Sequence, residues 1–188
     1  MANEGQMKVL GLCGSLRRGS YNRMALRAAG ELAPSDMSLD IYDGLAEIPP
    51  YNDDVREQGY PANVQALRDR IAASDAVLFV TPEYNYSVPG VLKNAIDWAS
   101  RPPSQPFDGK PVAIMGASMG LFGTARAQYH LRQVCVFVNA YPVNRPEVMI
   151  AQAQNKFDKD GRLTDEPTRK FIADLMQSLA DWTRRLKR

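Results

Sequence analysis

The sequence predicts an α/β fold, a doubly wound parallel sheet with helices on both faces, and three observations carry that prediction. Short apolar runs alternate with amphipathic helical stretches along the whole chain, which is the pattern of repeated βαβ units. Three of the four strand-to-helix turns that can be placed are rich in Gly, Ser, Asn or Arg. In a parallel sheet those turns open on one edge, the carboxyl ends of the strands, where ligands bind. Finally, 188 residues suffice for one full core and are few for two, so a single domain is expected over residues 1–188.

Met7–Cys13 is an apolar run broken by Gly11, the first strand. Gly14-Ser15-Leu16-Arg17-Arg18-Gly19-Ser20 ends it, and from Asn22 the residues Met24, Ala25, Ala28, Ala29 and Leu32 recur at helical spacing until Pro34. Met37–Tyr42 alternates and reads as a weaker, half-exposed strand. Residues 43–60 carry Gly44, Pro49-Pro50 and Gly59 and read as a long irregular connection. Pro61 starts a helix bearing Val64, Leu67 and Ile71, and Ala76–Val80 is the third strand.

Thr81 to Arg101 holds a strand end, a rigid turn and a helix. Ser87 is placed to cap the helix, Pro89 falls in its first turn, and Val88, Leu92, Ala95, Ile96 and Ala99 form its apolar stripe. A fourth strand, Pro111–Met115, leads into the glycine-rich Gly116–Gly123. The helix that follows, from about Thr124, carries Leu131, Val134, Cys135 and Val138, with Val136 and Phe137 widening the stripe. Pro142–Ile150 contains a last short strand, and residues 151–163 a polar loop with a hairpin around Asp160-Gly161. Thr164 is the expected cap of a final helix with Phe171, Ile172, Leu175, Leu179, Trp182 and Leu186 on one face. There is no internal repeat and no low-complexity segment.

Composition excludes several classes. A net charge of +2 with scattered basic residues gives no nucleic-acid signature, and the basic run Arg184–Arg188 suits a helix C-terminus. No apolar run reaches membrane-spanning length, and the N-terminus lacks a basic region followed by an apolar stretch, so no leader is expected. The two cysteines, Cys13 and Cys135, have neither CxxC nor metal-ligand spacing, so no metal is expected and the thiols suit a reducing cytoplasm. The single histidine, His130, reads as structural, and Met115 and Met119 as packing residues.

The turns carry the chemistry. Gly14–Asn22 offers two hydroxyls, a guanidinium and glycines that let backbone amides approach an anion, and the next helix adds its positive end. It lacks both G-x-x-x-x-G-K-[ST] and G-x-G-x-x-G, against a nucleoside triphosphate and a dinucleotide alike. Cys13 is followed at the sixth position by Gly19, not arginine, which disfavours a tyrosine-phosphatase loop and leaves Cys13 a small buried hydrophobe. One phosphate loop with two aromatic or glycine-rich turns is the layout for a mononucleotide bearing a flat ring.

These residues resemble a known family. Gly14-Ser15-Leu16-Arg17-x-Gly19-Ser20-x-Asn22, the Pro82–Trp98 segment, Ser118-Met119-Gly120 and Tyr129–Gln133 are similar to the NAD(P)H-dependent FMN reductases, within them to the bacterial soluble chromate and quinone reductases. The resemblance runs over about residues 7–150. It implies a flavodoxin-like fold, five parallel strands in the order 2-1-3-4-5, with FMN at the carboxyl edge. By position it places Ser15, Arg17, Ser20 and Asn22 at the phosphate, Pro82, Glu83, Tyr84 and Asn85 along the isoalloxazine, and Ser118 and Gly120 on its far side. Tyr84, Asn85 and Tyr86 are the expected substrate wall, with Arg101 and Arg126 as anchors for anionic groups. The implied activity takes electrons from NADPH or NADH to quinones, chromate or azo compounds by two-electron, ping-pong turnover in the cytoplasm. A flavodoxin-type electron carrier is the alternative; carriers of that kind are strongly acidic, and this chain is not. A homotetramer is also implied, with Arg126, Tyr129 and Glu147 at the interface, and the broad apolar helix surface around Leu131–Val138 supports association independently.

Overall fold

Alternate residues of the central strands feed opposite faces, and both faces are covered. In the computed structural model, which describes residues 5–187, the strand β3 (Ala76–Val80) is buried throughout. Its Ala76, Leu78 and Val80 enter one core layer and its Val77 and Phe79 the other. Residues 1–4, which begin the stretch read for a leader, and Arg188 of the basic tail lie outside the described residues. A strand apolar on both faces is what a parallel sheet between two helix layers requires.

The sheet runs β2 (Met37–Tyr42), β1 (Met7–Cys13), β3, β4 (Pro111–Ala117), β5 (Tyr141–Pro142), all parallel, which is the expected 2-1-3-4-5 order of a flavodoxin-like fold. One layer packs helices α1 (Tyr21–Glu31) and α6 (Glu166–Leu186) through Leu26, Ala29, Ile172 and Leu179. The other packs α3 (Ala62–Ala73), α4 (Gly90–Ala99) and α5 (Ala125–Phe137) through Leu67, Ile96, Trp98 and Leu131. Among the described residues no helix is long and apolar enough to cross a membrane.

Several local expectations are corrected. The last strand is two: β5 and β6 (Val148–Ile150) both run parallel beside β4, but the step from Pro142 to Val148 is longer than that between their partners Val112 and Met115, so the intervening residues loop out of the ladder. Residues 43–60 are not wholly irregular but hold a single turn of 3-10 helix, Gly44–Glu47, and a short helix α2 (Asp53–Glu57) capped by Asn52. The final helix is capped by Asp165, whose carboxylate accepts from the Thr168 N–H at 3.0 Å, while the Thr164 hydroxyl donates to the Lys156 carbonyl. Phe171, expected on the packed face of α6, is 54% exposed.

Candidate active site

The β1–α1 turn leaves its donors open. Ser15 and Ser20 are buried, Leu16 to Gly19 are exposed, and Ser20 caps α1 by accepting from the Arg23 N–H at 3.3 Å. Arg23 is paired with Asp43, whereas Arg17 and Arg18 form no ion pair among the described residues. Asn22 departs from its expected role as a phosphate ligand. Its amide donates to the Ala117 carbonyl and accepts from the Ala117 N–H, both at 2.8 Å, so the side chain ties the start of α1 to the end of β4. Only its backbone N–H remains among the free amides of the helix start. Cys13 lies buried beneath the turn, and that burial pushes its thiol pKa up.

The β3–α4 turn is closed instead. Tyr84 and Ser87 exchange two backbone hydrogen bonds, 3.1 and 3.0 Å, around Asn85 (φ 50°) and Tyr86 (φ 68°). Positive φ at both central residues makes a two-residue turn of type I′, unusual for a tyrosine. The tyrosines stand out from it, Tyr84 51% and Tyr86 65% exposed. Ser87 does not cap α4 as expected; Pro89 takes the cap position, and the Ser87 hydroxyl shares a 3.0 Å hydrogen bond with His130 Nδ1. Pro82 is buried, and a side chain at Gly14 would meet Pro82 and Leu92 at 3.2–3.3 Å, so glycine there lets the first two turns touch.

Glu83 is a further correction. Its carboxylate turns to α5, accepting from the Arg126 N–H (3.0 Å), the Ala127 N–H (3.2 Å) and Arg126 Nη1 (3.0 Å), so only the backbone of this residue is available to a ring. Arg126, expected as an anion anchor, is thereby neutralised and lies over Tyr86 at 3.9 Å and Phe122 at 4.4 Å. Arg101 is no anchor at this edge either. It follows the C-terminus of α4, about 15 Å of helix from Gly90, and donates to the Asp97 carbonyl and the Ser100 hydroxyl, both at 3.0 Å. Tyr129 and Glu147, expected across an interface, meet within one chain at 3.4 Å.

The β4–α5 turn supplies the opposite rim. Ser118 and Gly120 are pinned by backbone bonds to Ile150, Gln152 and Ala153. At Gly116 a Cβ would fall 2.0 Å from Thr124 Oγ1 and 2.2 Å from the Thr81 carbonyl oxygen, so the third and fourth strand ends approach as closely as glycine permits. Met119 is 58% exposed and not the packing residue expected, whereas Met115 is fully buried. Leu121 (73%) and Phe122 (63%) are exposed beside it, and the sequence reading gave them no role. The available signal was their placement in a glycine-rich turn, outside any strand or helix period.

The three turns thus lie at the carboxyl ends of β1, β3 and β4, the first presenting exposed arginines and helix-start amides and the other two exposed aromatic and aliphatic side chains. Residues 7–155 match the NADPH-dependent FMN reductase family. The chain belongs to that family. It is 59% identical over 181 residues to an NAD(P)H-dependent FMN reductase of Pseudomonas aeruginosa, covering 96% of this chain and 97% of the relative. It is 47% identical over 184 residues to a quinone reductase of Escherichia coli, covering 97% and 98%. Among solved structures, the flavoenzyme NAD(P)H:(acceptor) oxidoreductase FerB of Paracoccus denitrificans superposes with TM-score 0.86 at 39% identity, covering 95% of this chain and 98% of that one. The protein is thus an NAD(P)H-dependent flavoenzyme of the FMN reductase family, with FMN as its flavin. The residues fit that group: arginines with no ion pair among the described residues, buried hydroxyls and helix-start amides suit a phosphate, and the exposed aromatic turn suits a ring.

Proposed function

We propose that this FMN reductase is a quinone reductase that delivers two electrons from NAD(P)H to a flat acceptor by ping-pong turnover. Bound FMN would supply the chemistry, accepting a hydride from the nicotinamide and returning two electrons to the acceptor. The observation that carries the reading is the exposed rim of Tyr84, Tyr86, Met119, Leu121 and Phe122, which offers a shelf-like surface for stacking a flat ring. Donor and acceptor then use the shelf in turn, and the donor leaves before the acceptor arrives.

The chain's own residues position the groups. Ser15, Arg17, Ser20 and the first amides of α1 hold the phosphate, and the backbone of Pro82 to Asn85 lines one side of the ring. Ser118 and Gly120 close the far side, and Tyr84, Asn85 and Tyr86 face the incoming substrate. His130 is hydrogen-bonded to Ser87 and reads as a structural residue behind the turn. A shelf with so few acid–base groups admits other oxidants, and chromate and azo compounds belong to the proposal on that ground. So does a cytoplasmic homotetramer that buries Val136 and Phe137, 79% and 78% exposed in the single chain.

Steady-state rates at several NADPH and quinone concentrations are the test. Parallel double-reciprocal lines and a flavin bleached by NADPH alone are expected. Intersecting lines would establish a ternary complex and end the ping-pong reading; inability to reduce any quinone would end the substrate assignment.

A further inference from the structure

Glu83 sits in the ring-side turn by sequence but is joined to α5 by its hydrogen bonds. Helix α5 needs partners for its first N–H groups, and its own cap residue, Thr124, makes no side-chain cap bond. The Thr124 hydroxyl is engaged by Gln128 Nε2 at 3.0 Å. The cap comes instead from Glu83, 43 residues upstream, through the N–H groups of Arg126 and Ala127. The same carboxylate holds Arg126 Nη1, with side-chain exposures of only 12% for Glu83 and 32% for Arg126. The guanidinium so fixed lies over both Tyr86, from one wall of the shelf, and Phe122, from the other.

We propose that Glu83 is a positioning residue that sets the separation of the two shelf walls by capping α5 across the cleft and holding Arg126 between Tyr86 and Phe122. This deepens the reading of the shelf as the acceptor site and rests on it. A carboxylate is suited to the task because it satisfies two helix-start amides and a guanidinium at once, and because the positive end of the helix favours its charge. Tyr86 has its backbone fixed by the closed Tyr84–Ser87 turn, so the Cα that carries its ring does not follow a shifted Phe122. When the cap is lost the walls part, and the phosphate end, built on a different turn, is left intact. The effect therefore falls on acceptor stacking and much less on flavin affinity.

The test compares the FMN-loaded protein with Glu83→Ala, Glu83→Gln and Arg126→Lys. Three quantities are read: the FMN dissociation constant by fluorescence titration, KM and kcat for a simple benzoquinone, and hydrogen exchange at the Ala127 amide. In Glu83→Ala, Ala127 protection should fall about tenfold or more, the scale of a lost charged hydrogen bond. The quinone KM should rise about tenfold, with FMN affinity changed by less than about threefold. Glu83→Gln, which still accepts a hydrogen bond, should recover part of both losses. Arg126→Lys, which keeps the charge without the planar fork, should raise KM with little loss of Ala127 protection. A quinone KM unchanged in Glu83→Ala despite lost Ala127 protection would reduce Glu83 to a helix cap and overturn the inference. If Glu83→Ala does not fold, Glu83→Gln and Arg126→Lys decide by the same readings. If the wild-type protein reduces no quinone, the proposed function falls on its own. Near-UV circular dichroism of the tyrosines in the FMN-free protein then decides: a change in both Glu83 variants supports the wall assignment, and no change overturns it.

Discussion

The β1–α1 and β3–α4 turns lie side by side at the carboxyl edge, touch through Gly14, and are built on opposite principles. In the first, Arg17 and Arg18 have no ionic partner among the described residues, and the loop from Leu16 to Gly19 faces solvent. In the second, Thr81, Glu83, Tyr84, Ser87 and the neighbouring Arg126 all have partners. An anion brings its own acceptors and strengthens whatever donors it finds, so a phosphate loop can remain open until its ligand arrives. A flat ring brings mostly surface, so the wall it stacks on has to be rigid beforehand. If that contrast is right, the two turns should fail in different ways.

The largest effect is expected where the closed side has no slack. Gly116→Ala would place a methyl group 2.0 Å from Thr124 Oγ1 and 2.2 Å from a backbone oxygen, which cannot swing away as a side chain can. We expect a loss of about 3 kcal/mol or more, at the upper end for overpacking, read as a lower denaturation midpoint. A variant within about 1 kcal/mol of wild type would show that the two strand ends can separate, and that the closed side is not rigid.

On the open side the corresponding change should spare the fold and cost the ligand. Arg17→Ala removes an exposed guanidinium with no ion pair among the described residues, so stability should stay within about 0.5 kcal/mol. FMN binding should weaken by about 1.5–3 kcal/mol, the scale of a hydrogen bond to a charged group. An unchanged FMN dissociation constant would mean that Arg17 faces solvent with the ligand bound and that the loop holds phosphate by its amides alone.

The two thiols report on the same contrast through pH. Cys13 lies under the open turn and Cys135 on the buried face of α5, and burial pushes both upward, Cys135 to about 12 from an ordinary value of 9.0. Both are neutral in the folded protein at pH 8, so a thiol reagent reacts only after local opening. Cys13 should label faster than Cys135 in the FMN-free protein, and FMN should slow it. Equal rates would place the opening event in the whole domain. Because the unfolded thiol ionises first, Cys135 stabilises the fold below pH 9 and loses that contribution as pH rises from about 9 to about 12. Stability of a Cys135→Ala variant should accordingly fall less over that window.

The open turn was much easier to read from sequence than the closed one, for a physical reason. Glycine, serine and arginine between a strand and a helix announce a loop with donors to spare, and the donors are local. The exception is Asn22, a polar residue at a helix start whose direction the sequence does not encode, and it points inward to Ala117. On the closed side the decisive partner is remote. Helix caps are sought within a few residues of the helix, so a cap supplied to α5 by Glu83 leaves no local trace. The exposure of Met119, Leu121 and Phe122 is likewise a tertiary result, because an apolar residue in a turn has no periodicity to say which way it faces. The alternation of elements announced a parallel α/β sheet but left its strand order open, and that order came only with the family resemblance. The division of the last strand into β5 and β6 was not legible either, since each part is too short for a pattern.

The smallest expected change in stability tests whether the closed wall stores strain. Tyr86 holds φ at 68°, a conformation that costs a non-glycine residue about 1–2 kcal/mol and that glycine adopts freely. Against this, its ring lies 3.9 Å from the Arg126 guanidinium, an exposed contact on the order of 0.5–1 kcal/mol. Tyr86→Gly removes both, so the terms nearly cancel and the denaturation midpoint should move by less than about 1 kcal/mol, in the stabilising direction if the strain is the larger. Asn-Gly is also the preferred pair for a type I′ turn, so the turn itself should persist. With stability nearly indifferent between tyrosine and glycine here, the exposed ring is what the tyrosine adds. Quinone KM should therefore rise in Tyr86→Gly although the fold is no weaker. Stability lost together with an unchanged KM would show that Tyr86 serves packing against Arg126, and that the second turn is closed for reasons other than stacking a substrate.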